Sequence, residues 1–131
     1  MKLIYLSGAI QDVSFEESNH WRKIIDLRLN DYADVFNPND HFTMDDMWKN
    51  GITPESVMKY DLHMLKKSDL VIVNFAHPKS LGTMAEIAIA YDRGIPIIGW
   101  REPYHSWQKA MCDVYFHDLE DVIEYVLVHY I

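Results

Sequence analysis

The chain has 131 residues and a formal net charge of −8, since 20 acidic side chains outnumber 12 Lys and Arg. A hydrophobic fraction of 49% supplies a core for one domain of ordinary size, which excludes the collagen-like and disordered classes. The acidic balance argues against a nucleic-acid partner, because phosphates attract clustered Lys and Arg, and it favours a small-molecule partner. The longest unbroken apolar run spans 87–91, far short of the ~20 residues of a membrane helix, and no signal-peptide pattern opens the chain, so we expect a cytoplasmic protein without a membrane partner.

Short apolar runs that predict strands alternate along the chain with amphipathic segments that predict helices. In chain order, the pattern predicts a strand at 2–6, a helix from 14 to about 30, a strand at 34–36, a helix that is capped at 53 and includes 57–65, a strand at 70–74, a helix from about 82 to 93, a strand at 95–100, a helix around 104–111, a strand at 114–116 and a helix from about 119 to 128. No repeat, linker or low-complexity tract interrupts this pattern, so residues 1–131 are predicted to form a single domain.

Several helix ends carry capping signals. Ser14-x-x-Glu17 has the form of a capping box, in which a hydroxyl and a carboxylate bind the free backbone amides of a helix start. Thr53 precedes a proline at the first helical position, and Gly94 suits the left-handed residue that ends a helix.

A long polar stretch, 39–51, separates the second strand from the next helix. Connections of this length are uncommon in compact domains unless they are functional or disordered. The stretch contains Phe42, Met44, Met47 and Trp48, which favours a loop that packs over something. Phe42 and Trp48 are suited to stack on a planar ligand.

Alternating strands and helices are typical of a parallel sheet joined by helical crossovers. The predicted fold class is therefore α/β, with a doubly wound sheet. In such sheets, ligands bind beyond the carboxyl ends of the strands, where the strand order reverses. The candidate regions for chemistry are then 5–8, 37–48, 74–86 and 100–104.

The segment Ser80-Leu-Gly-Thr-Met-Ala-Glu86 places a carboxylate in the first turn of a helix that follows a predicted central strand. Two interpretations stay open: Glu86 is a functional carboxylate near the crevice, or it is the acidic half of a capping box with Thr83. Gly82 allows a ligand to approach the helix N-terminus closely. The chain has neither a Gly-x-x-x-x-Gly-Lys nor a Gly-x-Gly-x-x-Gly motif, so it lacks a typical phosphate-binding loop.

Asp61 and Tyr5 are also candidates for chemistry. Asp61 lies on the apolar stripe of its helix with Leu65, and apolar surroundings raise the pKa of a carboxyl until it can act as an acid near neutral pH. The alternative is a solvated carboxylate, or one paired with Lys59 or Lys66. Tyr5 either presents its hydroxyl in the crevice or is a buried strand aromatic.

The sequence gives little support for a metal site, a disulfide or a reactive thiol. The seven histidines lack metal-ligand spacing, and they are His20, His41, His63, His77, His105, His117 and His129. We therefore expect no metal site and no cofactor. A single cysteine, Cys112, excludes an intrachain disulfide and is interpreted as a buried or incidental thiol.

Four segments lie in matching order on predicted strands and helices. They are Tyr5-Leu-Ser-Gly8-Ala-Ile, Val35-Phe-Asn37-Pro38, Asp61 followed by Ser68-Asp-Leu-Val-Ile-Val-Asn74, and Gly82-Thr-x-x-Glu86-Ile-x-x-Ala90. Together they resemble the nucleoside 2-deoxyribosyltransferase family, over roughly the first hundred residues.

The resemblance implies a five-stranded parallel sheet like that of flavodoxin, a three-layer sandwich, in a homo-oligomer with sites near the subunit interfaces. It also implies cleavage of the N-glycosidic bond of deoxynucleosides, with Glu86 as the nucleophile. Asp61 would help to hold and protonate the substrate, and Tyr5 would lie close to the nucleophile. From the residues and the resemblance together, the other predicted substrate-binding positions are Ser7, Gly8, Asn37, Trp48, Ser80, Gly82 and Thr83.

These residue types suit that reaction on chemical grounds. Breaking a glycosidic bond builds positive charge on the anomeric carbon, which an ionised carboxylate stabilises and can trap covalently. The departing base needs a proton, which a carboxyl with a raised pKa supplies. Glu86 fits the first role and Asp61 the second.

One position departs from the transferase pattern, because Ser80 stands where those enzymes typically carry an Asp. A Ser-x-Gly-x-x-x-Glu arrangement is similar to the related deoxynucleoside 5′-monophosphate N-glycosidases, in which the Ser helps to hold the phosphate and water is the acceptor. A hydroxyl beside helix amides suits a phosphate better than a carboxylate does. Transfer of the deoxyribosyl group to another base is the principal prediction, and hydrolysis of a monophosphate is the alternative. A non-catalytic nucleotide sensor and a flavodoxin-type redox carrier are alternatives of other classes.

Overall fold

The computed structural model describes residues 1–41 and 49–131. Five parallel strands form one sheet in the order β2-β1-β3-β4-β5. The strands are β1 Leu3–Ser7, β2 Asp34–Phe36, β3 Leu70–Asn74, β4 Ile97–Trp100 and β5 Val114–Phe116. The predicted five-stranded, doubly wound α/β sheet is confirmed.

Helices cover both faces of the sheet. They are α1 Phe15–Leu29, α2 Pro54–Lys67, α3 Leu81–Asp92, α4 Ser106–Met111 and α5 Leu119–His129, with a short 3-10 helix at Pro38–Asp40. In the part of the chain that the structure describes, no helix is both long enough and apolar enough to cross a membrane. The predicted fourth strand was two residues too long at its start, because Pro96 has no amide to donate and contributes only its carbonyl, which accepts from Val71.

Alternation along β1 divides its side chains between two cores. Ile4 and Leu6 pack with α1 and α5 on one face, whereas Tyr5 packs with α2 and α3 on the other. Successive side chains of a strand point to opposite faces, so Ser7 shares the face of Tyr5. The two hydroxyls of β1 therefore point towards α3, the helix that carries Glu86.

The capping predictions had mixed outcomes. The Thr53 cap and the left-handed Gly94, at φ 73°, are confirmed. The predicted box at Ser14 forms only in part, because its hydroxyl accepts from the Glu17 amide while the Glu17 carboxylate pairs with His77.

Of the two interpretations of Glu86, the capping box with Thr83 is wrong. The cap of α3 is Ser80, whose hydroxyl accepts from the Thr83 amide at 3.4 Å, so Thr83 already lies inside the helix. The helix starts one residue earlier than predicted, and Glu86 lies in its second turn instead of its first. The carboxylate is thereby free of any capping role.

Gly8 and Gly82 give a matched pair for a stability test. A methyl group on Gly8 would stand 2.9 Å from Cζ2 of the buried Trp21, whereas one on Gly82 would meet nothing within 4 Å. We predict that Gly8→Ala lowers the free energy of unfolding by about 1–3 kcal/mol through overpacking. Gly82→Ala, inside α3, should leave it unchanged or raise it by up to about 1 kcal/mol. Urea unfolding followed by circular dichroism measures both, and equal effects at the two sites would contradict the tight packing at Gly8.

Candidate active site

The strand order reverses between β1 and β3. After β2 is added on one side of β1, the chain crosses to the other side to form β3. The loops that follow β1 and β3 enclose a pocket of about 360 Å³ at the carboxyl ends of these strands. Its lining residues are Ala9, Gln11, Asp12, Val13, His77, Lys79, Ser80 and Leu81. This is the location at which doubly wound sheets bind their ligands.

A larger open pocket of about 660 Å³ lies beside it, beyond β3 and β4. His77 lines both pockets, and its ring nitrogen lies 2.7 Å from Glu17 of α1. Each pocket also includes a non-glycine residue with positive φ, namely Asp12 at 63° and Arg101 at 75°. Such backbone conformations are uncommon outside glycine and cluster at functional sites.

Two hydroxyl groups of β1 hold the Glu86 carboxylate. The Tyr5 hydroxyl donates to Oε2, and the Ser7 hydroxyl donates to Oε1 at 2.9 Å. Tyr5 and Ser7 are themselves buried. Because each carboxylate oxygen has its own donor, the orientation of the group is fixed with respect to the end of β1.

Burial dominates the electrostatics of this group. It raises the pKa of Glu86, and the hydrogen bonds from Tyr5 and Ser7 together with the charge of Arg22 oppose this effect. Burial, followed by the charge of Glu86, also raises the pKa of Tyr5 far above its usual value. Tyr5 therefore remains protonated at neutral pH and acts as a donor to the carboxylate.

Asp61 carries a polar atom that the described residues leave unsatisfied. Its Oδ1 is buried and has no hydrogen-bond partner there. Burial, followed by the charge of Glu86, raises the pKa of Asp61 to about 7, although Arg22 opposes this effect. The alternative of a pair with Lys59 does not occur, since Lys59 binds Glu55 at 2.8 Å. Asp61 is a carboxyl that can hold or release a proton near neutral pH.

Sequence reasoning missed Arg22, which is fully buried and acts electrostatically on Glu86, Tyr5 and Asp61. A signal was present in the sequence. Ser18, Arg22, Ile25 and Leu29 follow the spacing of one helical stripe, and all four are buried. A cation in the middle of an apolar stripe is uncommon unless it is paired or hydrogen-bonded.

The remaining predicted positions lie in different places. Thr83 is buried and donates to the Ser80 hydroxyl at 3.0 Å, while Gly82 is exposed. Asn37 is buried, but its side-chain amide donates to Asn19 and its Oδ1 accepts from the backbone amide of Asn39.

Two predictions fall outside the site chemistry that can be described. Trp48, together with Phe42, lies outside the described residues. Cys112 is half-buried, and burial followed by the charge of Asp113 raises the pKa of its thiol to about 12, so it is not a nucleophile at neutral pH. Residues 1–41 and 49–131 contain no group of three side chains placed to hold a metal ion.

The fold and this acidic cluster define a doubly wound α/β protein with two carboxyls beside its switch point. A family model described as "Nucleoside 2-deoxyribosyltransferase like" matches residues 1–104. The chain therefore belongs to the nucleoside 2-deoxyribosyltransferase-like family, as the sequence motifs predicted. No curated protein sequence matches the chain.

Solved structures share the fold. A conserved protein from Enterococcus faecalis V583 is 17% identical with a TM-score of 0.80, and the alignment covers 98% of each chain. A 2-deoxyribosyltransferase from Bacillus psychrosaccharolyticus is 23% identical with a TM-score of 0.69, covering 94% of this chain and 91% of that one. The CMP N-glycosidase BcmB of Clostridium botulinum is 20% identical with a TM-score of 0.68, covering 98% and 100%. At these identities the likeness shows the fold alone.

The raised pKa of Asp61 makes stability depend on pH. A carboxyl whose pKa is higher in the folded chain contributes stability below its unfolded pKa and loses that contribution as the pH rises through its folded pKa. Since burial raises the pKa of Asp61 from 3.8 to about 7, the free energy of unfolding should fall across that window.

Asp61→Asn removes this loss while keeping the shape of the side chain. We predict that the variant is more stable than the wild type at pH 8 by about 2 kcal/mol, after allowance for partial solvent exposure, and equally stable at pH 4. Urea unfolding at both pH values measures the difference. The exposed Asp31 gives the control, since Asp31→Asn should show no such trend, and an equal trend in the two variants would contradict a raised pKa at Asp61.

Proposed function

We propose that the protein cleaves the N-glycosidic bond of a deoxynucleoside or its 5′-monophosphate through a covalent glycosyl intermediate on Glu86, and transfers the deoxyribosyl group to another base. One observation carries the proposal: a carboxylate with a fixed orientation beside the switch point, next to a second carboxyl whose pKa is about 7. Membership of the family supports the same reaction class. The pair provides a nucleophile and a proton donor in one site.

In the first step, an oxygen of the ionised Glu86 attacks the anomeric carbon. The bond between this carbon and the base nitrogen breaks, and its electron pair leaves with the base. Asp61 donates its proton to the base, or to a group that passes it on, so the leaving group departs neutral. The sugar remains as an ester on Glu86.

In the second step, a nitrogen of the acceptor base attacks the anomeric carbon from the vacated side. The ester bond breaks, and its electrons return to the Glu86 carboxylate. The proton of the acceptor nitrogen returns to Asp61, which restores the starting state. Two displacements at one carbon retain the configuration of the sugar.

The two hydroxyls serve the nucleophile in this scheme. Tyr5 and Ser7 orient the carboxylate and stabilise its charged form, which burial disfavours.

Because the pKa of Glu86 remains raised, activity should fall as the nucleophile becomes protonated at acidic pH. It should also fall at alkaline pH as Asp61 loses its proton, so a bell-shaped pH profile is expected.

Glu86→Gln keeps the size of the side chain and removes the nucleophile. We predict that it lowers kcat by at least ~10³-fold for both transfer and hydrolysis, as loss of a covalent nucleophile typically does. Product chromatography after incubation with deoxynucleosides, with and without a free base, measures the loss. Glu124→Gln, at an exposed position of α5, is the matched control and should keep wild-type turnover. Comparable turnover in both variants would remove Glu86 from the mechanism.

A second candidate function is hydrolysis of a deoxynucleoside 5′-monophosphate, with water in place of the acceptor base. Ser80 favours it, because this hydroxyl caps α3 and lines the pocket at the switch point. A phosphate would meet a neutral hydroxyl and helix amides at that place, without a repelling carboxylate.

Ser80→Asp tests this candidate without removing the cap, since Asp is also a good N-cap residue. If a 5′-phosphate binds here, the added charge should lower kcat/KM for the monophosphate by at least ~10-fold, while kcat/KM for the unphosphorylated nucleoside changes much less. Steady-state kinetics with both substrates measures the ratio. Equal losses on the two substrates would argue against a phosphate beside Ser80, and a new nucleoside among the products would indicate transfer.

Other predictions stay open. The homo-oligomer, the single-domain organisation of 1–131 and the cytoplasmic location remain predictions, and the proposed steps use no cofactor.

A further inference from the structure

Arg22 ties helix α1 to the end of strand β1. Its Nε and Nη2 each donate to the Leu6 carbonyl at 3.4 Å, and Nη2 also donates to the Gly8 carbonyl at 3.0 Å. Nη1 donates to the Ser18 carbonyl within α1. The guanidinium therefore binds the backbone carbonyls on both sides of Ser7, one of the two residues that hydrogen-bond the Glu86 carboxylate.

The charge of the Arg22 side chain has no ion-pair partner of its own among the described residues. Arg22 is fully buried, and among the described residues it forms no ion pair. A buried charge that lacks a counter-ion is costly, so its compensation must come from acidic groups nearby. Those that act on it are Glu86 of α3, Tyr5 of β1 and Asp61 of α2.

The backbone is shaped to admit this cation. A side chain on Gly8 would stand 3.4 Å from the Arg22 Nη2 atom and still closer to Trp21. Glycine at this position therefore keeps open the space that the guanidinium and the neighbouring indole occupy. The guanidinium also packs over the Trp21 ring, 4.7 Å from its centroid, which fixes it from a further side.

We propose that Arg22 is a positioning residue for Glu86, which holds the carboxyl end of β1 in place and supplies the positive charge that keeps the buried carboxylate ionised. This inference rests on the proposed function for its catalytic meaning, although its electrostatic content does not need turnover. A nucleophile withdrawn from water needs such compensation, because only the ionised form attacks. Because α1 and α3 lie on opposite faces of the sheet, Arg22 reaches the site only at the end of β1.

The alternative is that Arg22 only clamps backbone carbonyls. The two roles predict different results when the charge and the hydrogen bonds of this side chain are changed separately. Arg22→Gln keeps N–H donors and removes the charge, and Arg22→Met removes both. Arg22→Lys keeps the charge and loses the planar fork.

The experiment measures the pKa of Glu86 directly, from the carboxyl ¹³C shift of glutamate-labelled full-length protein as a function of pH. The signal absent from Glu86→Gln identifies the residue. Tyr5 and Ser7 from β1, Asp61 from α2 and Arg22 from α1 are the groups that face this carboxylate, and only Arg22 is changed. We expect the pKa of Glu86 to be higher by on the order of 1 in Arg22→Gln and Arg22→Met, which is a tenfold lower ratio of ionised to neutral carboxyl at a given pH. In Arg22→Lys the pKa of Glu86 should stay close to that of the wild type.

Each outcome decides between the two roles. An unchanged pKa of Glu86 in a folded Arg22→Gln or Arg22→Met protein overturns the proposal. If neither uncharged variant folds in buffer, the same titration is run in sucrose, which favours the folded state, and the same two outcomes decide. A raised pKa of Glu86 in a folded Arg22→Lys protein would also overturn the proposal, because the charge is kept there.

The same variants separate this inference from the proposed function. If the wild type is active, the acidic limb of kcat/KM should move upward in Arg22→Gln by the amount seen in the carboxyl titration. If the wild type shows no turnover but the titration shifts as expected, the proposed reaction fails and the electrostatic role of Arg22 stands.

Discussion

The contact between the Glu86 carboxylate and the two hydroxyls of β1 is the constraint on which the site depends. Tyr5 and Ser7 are two residues apart, so the pleat of the strand directs both side chains to the face covered by α3. Their donors fix a carboxylate that would otherwise rotate freely. The crossover that places β3 beside β1 brings α3 over this strand, and the topology thereby assembles the site from residues 81 positions apart.

Around this contact lies a group of ionisable side chains that stability alone does not explain. Two carboxyls, a tyrosine and an arginine share one partly buried region, and burial raises the pKa of both acids. Such an arrangement costs folding free energy that apolar residues of similar size would not. Clusters of titratable groups with perturbed pKa values are a mark of functional sites, and here the environments of the two carboxyls suit opposite roles. Glu86 is held by donors that favour the charged form, whereas an oxygen of Asp61 has no donor among the described residues.

The local patterns of the sequence were sufficient for the architecture. The β-branched run of β3 and the period of α1 placed these elements to within two residues, because hydrophobic periodicity reflects burial directly. The resemblance to a family pointed to Glu86, Tyr5 and Asp61, which the structure brings together. The local sequence also suggested Thr83 as a helix cap. Ser80 and Thr83 both carry a hydroxyl that can cap a helix, and only the observed start of the helix shows that Ser80 is the cap.

Other features depend on contacts that no local pattern contains. The carboxylate of Glu17 was predicted to close a capping box, but it pairs with a histidine 60 residues away. Arg22 was missed because its importance arises from the packing of α1 against the end of β1, where carbonyls of Leu6 and Gly8 become its partners. Ser80 is visible in the sequence, but its position in the lining of a pocket depends on how the loops after β1 and β3 fold.

In the proposed mechanism a sugar becomes attached to Glu86, and mass spectrometry tests this step most directly. The protein is incubated with a deoxynucleoside or its 5′-monophosphate in the absence of an acceptor base, quenched in acid, and measured intact and after proteolysis. The proposed mechanism predicts a fraction of the protein heavier by one deoxyribosyl group or its phosphate, with the addition on the peptide that contains Glu86. An adduct on a different side chain, or turnover with no adduct at any quench time, would contradict it.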